Sequence, residues 1–316
     1  MTEPKVSVAM ITYNHEQYIE TAVRGALNQK TDFPVEIVIA DDCSADRTPQ
    51  ILSQLAAESD CIRLILRDQN IGAEKNFADV YARCAGEYVA FVDGDDYWID
   101  DEKLQIQADL LDSAPELSMA FHPVYAMSFD GEKEAIYPPD RKARYTLDDL
   151  LSGNMIYACS PMTRRRYFPG YPEWKFKSRA VPGDWVHNCI VATNGPIGYI
   201  DRVMGVYRRH HYGQWNSINA VQRIQSVIDF YTNIGGLIGD DKSGVVRQQL
   251  SETEMKLARA YCRQGEVAIA WAAVGRASRN LLGGVFKAPK RYALTILHVL
   301  GASFMVPFRS IVRSTK

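Results

Sequence analysis

Several things are scarce in this sequence. Six cysteines are spread over 316 residues, and none forms a CxxC pair. Their spacings fit neither a zinc site nor a small disulfide framework, so free thiols in a reducing compartment are expected. No long apolar run follows Met1. Val6–Ile11 is short and has a polar lead, unlike the core of a signal peptide, so a cytoplasmic protein is expected. No glycine lies between Thr12 and Tyr18. That removes the GxGxxG turn of a dinucleotide oxidoreductase and the Gly-rich, basic phosphate loop of a nucleotidyltransferase. The net charge is only −2, from 36 basic and 38 acidic residues, so bulk charge gives no sign of nucleic-acid binding. Acidic residues are absent from Val267 to Lys316, where eight Lys/Arg leave a tail of +8 and −10 for the rest. Such a split directs the tail toward an anionic surface.

What is present reads as a globular chain. Apolar residues make up 47% and charged residues 23%, both ordinary values. The first hundred residues alternate in character. Val6–Ile11, Val35–Ala40, Ile62–Leu66 and Tyr88–Val92 are strand-like runs. Between them Tyr18–Leu27, Thr48–Leu55 and Ala73–Cys84 have helical spacing, and a further helix is expected from about Glu102 to Leu111. Strand–helix alternation with short loops implies a parallel sheet covered on both faces. The middle adds expected strands at Leu117–Phe121, Val124–Met127 and Ile197–Arg208. Helices are expected at Thr146–Leu151 and Asp184–Thr193, with a loop over Tyr167–Trp174. From Ala220 the pattern is helical, with breaks expected at Gly235-Gly236 and Gly283-Gly284.

In such sheets the ligand crevice lies beyond the carboxyl ends of the strands. The polar clusters stand there: Thr12-Tyr13-Asn14-His15, Asp41-Asp42 and Asp93-Gly94-Asp95-Asp96. Three carboxylates in four residues repel one another unless a cation sits among them. Oxygen ligands at a strand end suit Mg2+ or Mn2+, which also bind substrate phosphates. Asp42 is placed to accept a base N–H or a ribose hydroxyl.

The order Thr12-Tyr13-Asn14-His15, Asp41-Asp42-x-Ser44-x-Asp46-x-Thr48, Asn70-x-Gly72-x-x-x-Asn76 and Asp93-Gly94-Asp95-Asp96 resembles the inverting family-two glycosyltransferases of GT-A fold. The resemblance covers about residues 5–215. It implies an α/β, Rossmann-like, mostly parallel sheet with helices on both faces, here with a C-terminal helical extension. Residues 1–115 would be the nucleotide-sugar-binding half, 116–215 the acceptor-binding half, and 216–316 the extension with its basic amphipathic tail. The donor would be a nucleotide-diphospho-sugar, such as a UDP- or dTDP-sugar, used with Mn2+ or Mg2+. Thr12, Tyr13, Asn14, Asp42, Lys75, Asn76 and Asp93 would bind it, with Tyr13 and Asp42 on the base. Asp95, with Asp93, would hold the metal.

Two later motifs fit the same resemblance. Gly183-Asp184-Trp185 stands where the family carries its catalytic base, often as Glu-Asp; Asp184 would then be the base and also cap its helix. Tyr207-Arg208-Arg209-His210-His211-Tyr212-Gly213-Gln214-Trp215 resembles the YRxHxxGxW ending of a bacterial surface-polysaccharide branch. His210 falls on the motif histidine, as a metal or diphosphate ligand; Arg208 would meet the diphosphate, and His211 is structural. QxxRW, the mark of processive synthases, is missing. Two basic clusters, Arg164-Arg165-Arg166 and Lys175–Arg179, read as solvated surface or as contacts to an anionic, lipid-linked acceptor.

The resemblance implies transfer with inversion to a hydroxyl of a glycan or lipid-linked acceptor, in surface polysaccharide synthesis. A non-catalytic nucleotide-sugar- or glycan-binding module and a nucleotidyltransferase are the alternatives. Finally, Tyr292–Phe308 has no formal charge over 17 residues. As a helix it spans about 25 Å, short of a roughly 30 Å hydrocarbon core. An interfacial helix is expected instead, with Lys287, Lys290, Arg291, Arg309, Arg313 and Lys316 on anionic headgroups at the inner face of the cell membrane; a helical cap packed on the protein is the alternative.

Overall fold

Four apolar runs become adjacent parallel strands: β1 (Val6–Thr12), β2 (Val35–Asp41), β3 (Ile62–Leu66) and β4 (Tyr88–Phe91), in the order β3-β2-β1-β4. This computed structural model describes residues 3–177, 181–210, 218–281, 296–297 and 299–300. Parallel pairing needs crossovers, and α1 (Ile19–Leu27), α2 (Thr48–Glu58) and α3 (Ala73–Arg83) supply them. Helix α1 buries Ile19, Ala22, Val23 and Ala26, the spacing of one helical face. Val6, Val8 and Met10 of the central strand are fully buried, each such side chain stabilising by roughly 1.5–3 kcal/mol. Val6 is level with both Val35 and Tyr88, and Thr12 with Asp41. That register brings the loops after β1 and β2 out at one rim.

The sheet then turns mixed. After β5 (Tyr97–Trp98) and α4 (Lys103–Ser113) come β6 (Met119–Phe121), β7 (Val124–Met127), β8 (Lys133–Ile136), β9 (Arg144–Tyr145), α5 (Leu147–Ser152) and β10 (Met162–Arg164). Then follow α6 (Glu173–Lys177), α7 (Gly183–Ala192), β11 (Ile197–Tyr199) and β12 (Gly205–Arg208). The large sheet continues β4-β10-β6-β11-β9, with β10 antiparallel to both neighbours. A second sheet runs β5-β12-β7-β8.

Some expectations need correction. Ile197–Arg208 is not one strand. The Ile200 N–H closes on the Phe121 carbonyl, Arg202 N–H bends back on the Ile200 carbonyl, and the chain leaves for the second sheet. The stretch expected as loop turns helical at Glu173. Thr146 does cap α5, in a reciprocal box with Asp149.

Contacts divide the chain into two units, Met1–Arg179 with Gly183–His211, and Ala180–Pro182 with Tyr212–Lys316. In the second, α8 (Ala220–Ile238), α9 (Ser243–Gln264) and α10 (Val267–Leu281) are all helical. Asn219 and Gln222 close a capping box at the start of α8. Gly235-Gly236 do not break this helix; it ends at Gly239, whose φ is 84°. Arg276 holds Glu254 with two bonds of 2.6 and 2.9 Å between α10 and α9. Among the described residues no helix is long and apolar enough to cross a membrane. Gly283-Gly284, the basic tail beyond them and most of the expected interfacial helix lie outside the described residues.

Candidate active site

The acidic loop is stitched to the central strand. Val92 N–H bonds to the Ala9 carbonyl, and Gly94 N–H to the Ile11 carbonyl. Glycine is required at 94: a Cβ there would lie 2.6 Å from Thr12 Oγ1 and 2.7 Å from Thr12 Cβ. The loop runs straight into β5, whose partner is β12, with Val206 level with Tyr97. Continuing that antiparallel register sets Arg208 beside Asp95. Arg208 N–H donates to Asp96 Oδ1 at 2.8 Å, and its guanidinium donates to the Asp95 carbonyl at 2.6 Å. The same guanidinium lies over the Tyr97 ring, 4.2 Å from the centroid.

His210, two residues on, places Nε2 2.7 Å from Asp95 Oδ2. His15 comes from the other side, with Nε2 3.9 Å from the same oxygen. Thr12 Oγ1 is bonded to His15 Nδ1 at 3.1 Å. This fixes the ring so that Nε2 faces Asp95, as partners behind metal ligands commonly do. One ligand atom each from His15, Asp95 and His210 lie within 4.8 Å of one another. Two imidazoles and one carboxylate suit Mn2+ better than Mg2+. Burial holds His15 below the ordinary imidazole range, which favours the neutral, ligating form. His15 closes the Thr12-Tyr13-Asn14-His15 motif, and the sequence alone does not mark it as a ligand. The compact cluster is built from His15 with Asp95 and His210, and Asp93 is outside it.

The three carboxyl groups are set apart. Burial is the largest influence on each. It pushes Asp93 up to about 8, helped by the charges of Asp95 and Asp184. Asp96 is buried and pushed well above the ordinary range, helped by Asp95 and Asp93. For Asp95 burial is outweighed by the His210 hydrogen bond and the two imidazoles, and its carboxyl is held below the ordinary range.

The β1, β2 and α3 ends are tied mostly to one another. Asp42 is buried, and its two carboxylate oxygens accept the Ile71 and Gly72 N–H groups, each at 2.9 Å. Asn70 adds a bond to the Asp42 carbonyl. Asn76 is buried, donates to the Ala40 carbonyl at 3.0 Å and accepts from Arg67 Nε at 2.7 Å. The spacing Asn70-x-Gly72-x-x-x-Asn76 is thereby explained as a clasp on Asp42 and β2. Asn14, at φ 55°, accepts from Ala45 N–H and donates its own N–H to Ser44 Oγ, both at 2.8 Å. Tyr13 is 46% exposed and Lys75 is exposed on the first turn of α3. Asn14 is exposed as well, so of the residues expected on the nucleotide Tyr13, Asn14 and Lys75 stand open to solvent.

Asp184 lies in the first turn of α7, not at its cap. Oδ1 accepts the Trp185 N–H at 2.8 Å and Oδ2 accepts from Asn154 at 3.2 Å. Trp185 anchors the helix through Nε1 to the Leu150 carbonyl. Burial raises the Asp184 carboxyl above its ordinary range. Its charge adds to the rise of the Asp93 carboxyl, so the first turn of α7 lies near the acidic loop.

The basic clusters are solvated only in part. Arg164 is buried and donates to the Leu117 and Leu111 carbonyls at 2.8 and 2.6 Å. Arg165 donates to the Gly86 carbonyl. Lys175 is fully buried against Glu74. Arg165, Arg166 and Lys177 are exposed. Ser178, Arg179 and the motif residues His211, Tyr212, Gly213, Gln214 and Trp215 lie outside the described residues.

Residues 7–169 match the profile of Glycosyl transferase family 2. The chain belongs to that family. Its α/β architecture is the GT-A fold, shared with the solved structures that follow. An uncharacterized protein of Mycobacterium tuberculosis is 42% identical over 214 residues, 67% of this chain and 61% of that one. The chain thus spans about 61% of the length of the first curated relatives it matches. Staphylococcus aureus TarS, a poly(ribitol-phosphate) beta-N-acetylglucosaminyltransferase, is 36% identical over 111 residues, 34% of this chain and 19% of TarS. A crystal structure of TarS 1–349 with UDP-GlcNAc superposes with a TM-score of 0.67 at 18% identity, covering 94% of this chain and 89% of that one. A mannosyltransferase of Pyrobaculum calidifontis with GDP-Man and Mn2+ reaches 0.58 at 16% identity, covering 96% and 87%.

Proposed function

We propose that this family 2 chain is an inverting glycosyltransferase. It moves a sugar from a nucleotide-diphospho-sugar to an acceptor hydroxyl, in the assembly of a cell-surface polysaccharide. The observation that carries the reading is the pairing of Asp95 with His210, joined by His15, on an acidic loop where the charge of Asp184 reaches Asp93. TarS, with its UDP-GlcNAc, and the mannosyltransferase, with GDP-Man and Mn2+, support a nucleotide-sugar donor and a divalent metal.

Asp95, His210 and His15 would hold the metal. When bound it supplies positive charge to offset that of the departing diphosphate. Arg208 would lend further charge on the same side, since its guanidinium has N–H groups beyond the one on the Asp95 carbonyl. Tyr13 and Lys75 would reach the nucleotide from the rim. Asp184 takes the proton from the acceptor hydroxyl. The freed oxygen forms its bond to the anomeric carbon as the bond to the phosphate oxygen breaks on the opposite face. A positioned base contributes about 10²–10⁴-fold. One such carboxylate suffices for inversion, and the raised Asp184 carboxyl is a stronger base than a solvated aspartate.

The test is a panel of UDP-, dTDP- and GDP-sugars with Mn2+, read first by thermal shift and then by nucleotide release. One nucleotide-sugar should stabilise the chain by mass action, and release should give a product of opposite anomeric configuration. Retained configuration would remove the single-base mechanism.

A further inference from the structure

The second sheet presents one open face beside the acidic loop. Its strand order is β5-β12-β7-β8, so Tyr97 and Lys133 stand on its two outer strands. Register sets Arg208, Met127 and Lys133 level with one another, and Tyr97, Val206 and Tyr125 likewise. Level residues share a face, and so do residues two apart on a strand. These six side chains therefore lie on one side. The other side packs inward, with Trp98 and Ala126 buried. On the open side Tyr97, Tyr125, Met127 and Arg208 are half-buried and Lys133 is exposed. Neighbouring strands are about 4.8 Å apart. Yet the Lys133 ammonium, from the far edge strand, stands 5.6 Å from the centroid of the Tyr97 ring. Its stem therefore lies across the face toward the acidic loop. The Arg208 guanidinium is 4.2 Å from the same centroid. Two cations thus share one ring, and among the described residues neither has a carboxylate within ion-pair distance. Like charges gathered in this way repel, and an anion on the face would offset the repulsion.

We propose that this face is the acceptor subsite and that the acceptor carries a phosphodiester, held by the Lys133 ammonium while Tyr97 and Tyr125 support its polyol or sugar units. The assignment rests on the sugar-transfer reading and names the acceptor class for it. The face begins where the acidic loop ends, since Tyr97 follows Asp96 directly. Arg208 stands at that end and donates to the Asp95 carbonyl, on the side assigned to the donor. Lys133 is the cation left for the acceptor. One ammonium matches the single negative charge of a phosphodiester. A diphosphate carries more charge and suits a metal or a guanidinium fork. Half-exposed tyrosines give a polyol or sugar an apolar ring with a polar tip.

The experiment titrates the full chain, loaded with UDP and Mn2+, with tri(glycerol phosphate), with uncharged triglycerol and with geranyl diphosphate. Calorimetry reads binding, so no transfer is needed. Tri(glycerol phosphate) should bind, and Lys133→Gln should weaken it about 10-fold, with UDP affinity unchanged within a factor of about two to three. Lys133→Arg should keep the binding. Added salt should weaken the wild type more than Lys133→Gln. Triglycerol bound as tightly, or a phosphodiester that does not bind, overturns the acceptor class. Geranyl diphosphate bound more tightly, with the same dependence on Lys133, overturns it in favour of a lipid diphosphate. UDP affinity that falls as far as that of the phosphodiester makes Lys133 a donor contact and overturns the subsite. Binding that ignores Lys133, with sugar transfer intact, removes the subsite alone. Binding that depends on Lys133, in a chain that transfers no sugar to any acceptor, removes the sugar-transfer reading while the phosphodiester site stands.

Discussion

Asp95 and His210 are 115 positions apart in the chain and meet at 2.7 Å. The contact exists because β5, which follows the acidic loop, pairs antiparallel with β12, which precedes His210. His15 reaches the same oxygen from the β1 side. Three segments thus converge on one carboxylate.

Mn2+ should raise the melting temperature of the wild-type chain. Asp95→Ala should weaken Mn2+ at least about 100-fold, and His15→Ala about 10-fold, since loss of even an outer partner costs roughly 10–100-fold. Isothermal titration with Mn2+ alone measures both. Unchanged affinity in His15→Ala would remove it from the ligand set.

The bonds of Asp42 are to backbone, so its first task is to shape the rim. Asp42→Asn turns one acceptor into a donor opposite Ile71 or Gly72. A buried N–H left unpaired costs about 1–3 kcal/mol. Urea unfolding should show that loss with little change in slope. Full stability with nucleotide binding abolished would make Asp42 a ligand residue first.

Much of this rim is legible in the sequence. β1, β2 and β4 are continuous apolar runs that end in polar clusters, and burial on both faces makes such runs unambiguous. The crossing of β5 and β12 is not legible, because β5 is two residues long and its partner lies over a hundred positions away. Nor is the burial of Lys175 or Arg164, because their partners, Glu74 and main-chain carbonyls, are set by tertiary contacts and not by spacing. Asn76 shows the converse. Its place in the motif was visible, but its bonds to Ala40 and Arg67 were not.

Lys103 gives a pH-dependent stability. It is fully buried, donates to Gln107 at 2.6 Å and lies 4.1 Å from the centroid of the Trp98 ring. Burial drops its pKa from 10.5 to about 7. The unfolded chain therefore holds a proton that the folded chain has released across this interval, so stability rises with pH there. Lys103→Met removes that rise. Its melting temperature should exceed wild type most below pH 7, with the gap closing toward about pH 10. A gap independent of pH would contradict the buried charge.

The basic tail should bind anionic vesicles. Removing three charges with Lys287→Gln, Lys290→Gln and Arg291→Gln in the full chain should weaken vesicle binding by about 10²-fold, at about 1 kcal/mol per charge near the surface. Co-sedimentation with vesicles of graded anionic lipid content measures it. Equal pelleting with neutral and anionic vesicles, or none with either, would remove the tail as a membrane contact.

In the proposed reaction Asp184 performs the chemistry while the Asp95 cluster holds the donor side. Asp184→Asn keeps the size of the side chain and its place in the α7 first turn, and removes the base. The decisive measurement is turnover of the nucleotide-sugar selected by thermal shift, alongside UDP affinity with Mn2+, in this one variant. Turnover should fall by at least about 10²-fold, with UDP affinity unchanged within a factor of about two to three. Turnover near that of the wild type, or UDP affinity that falls as far as turnover, would contradict the account.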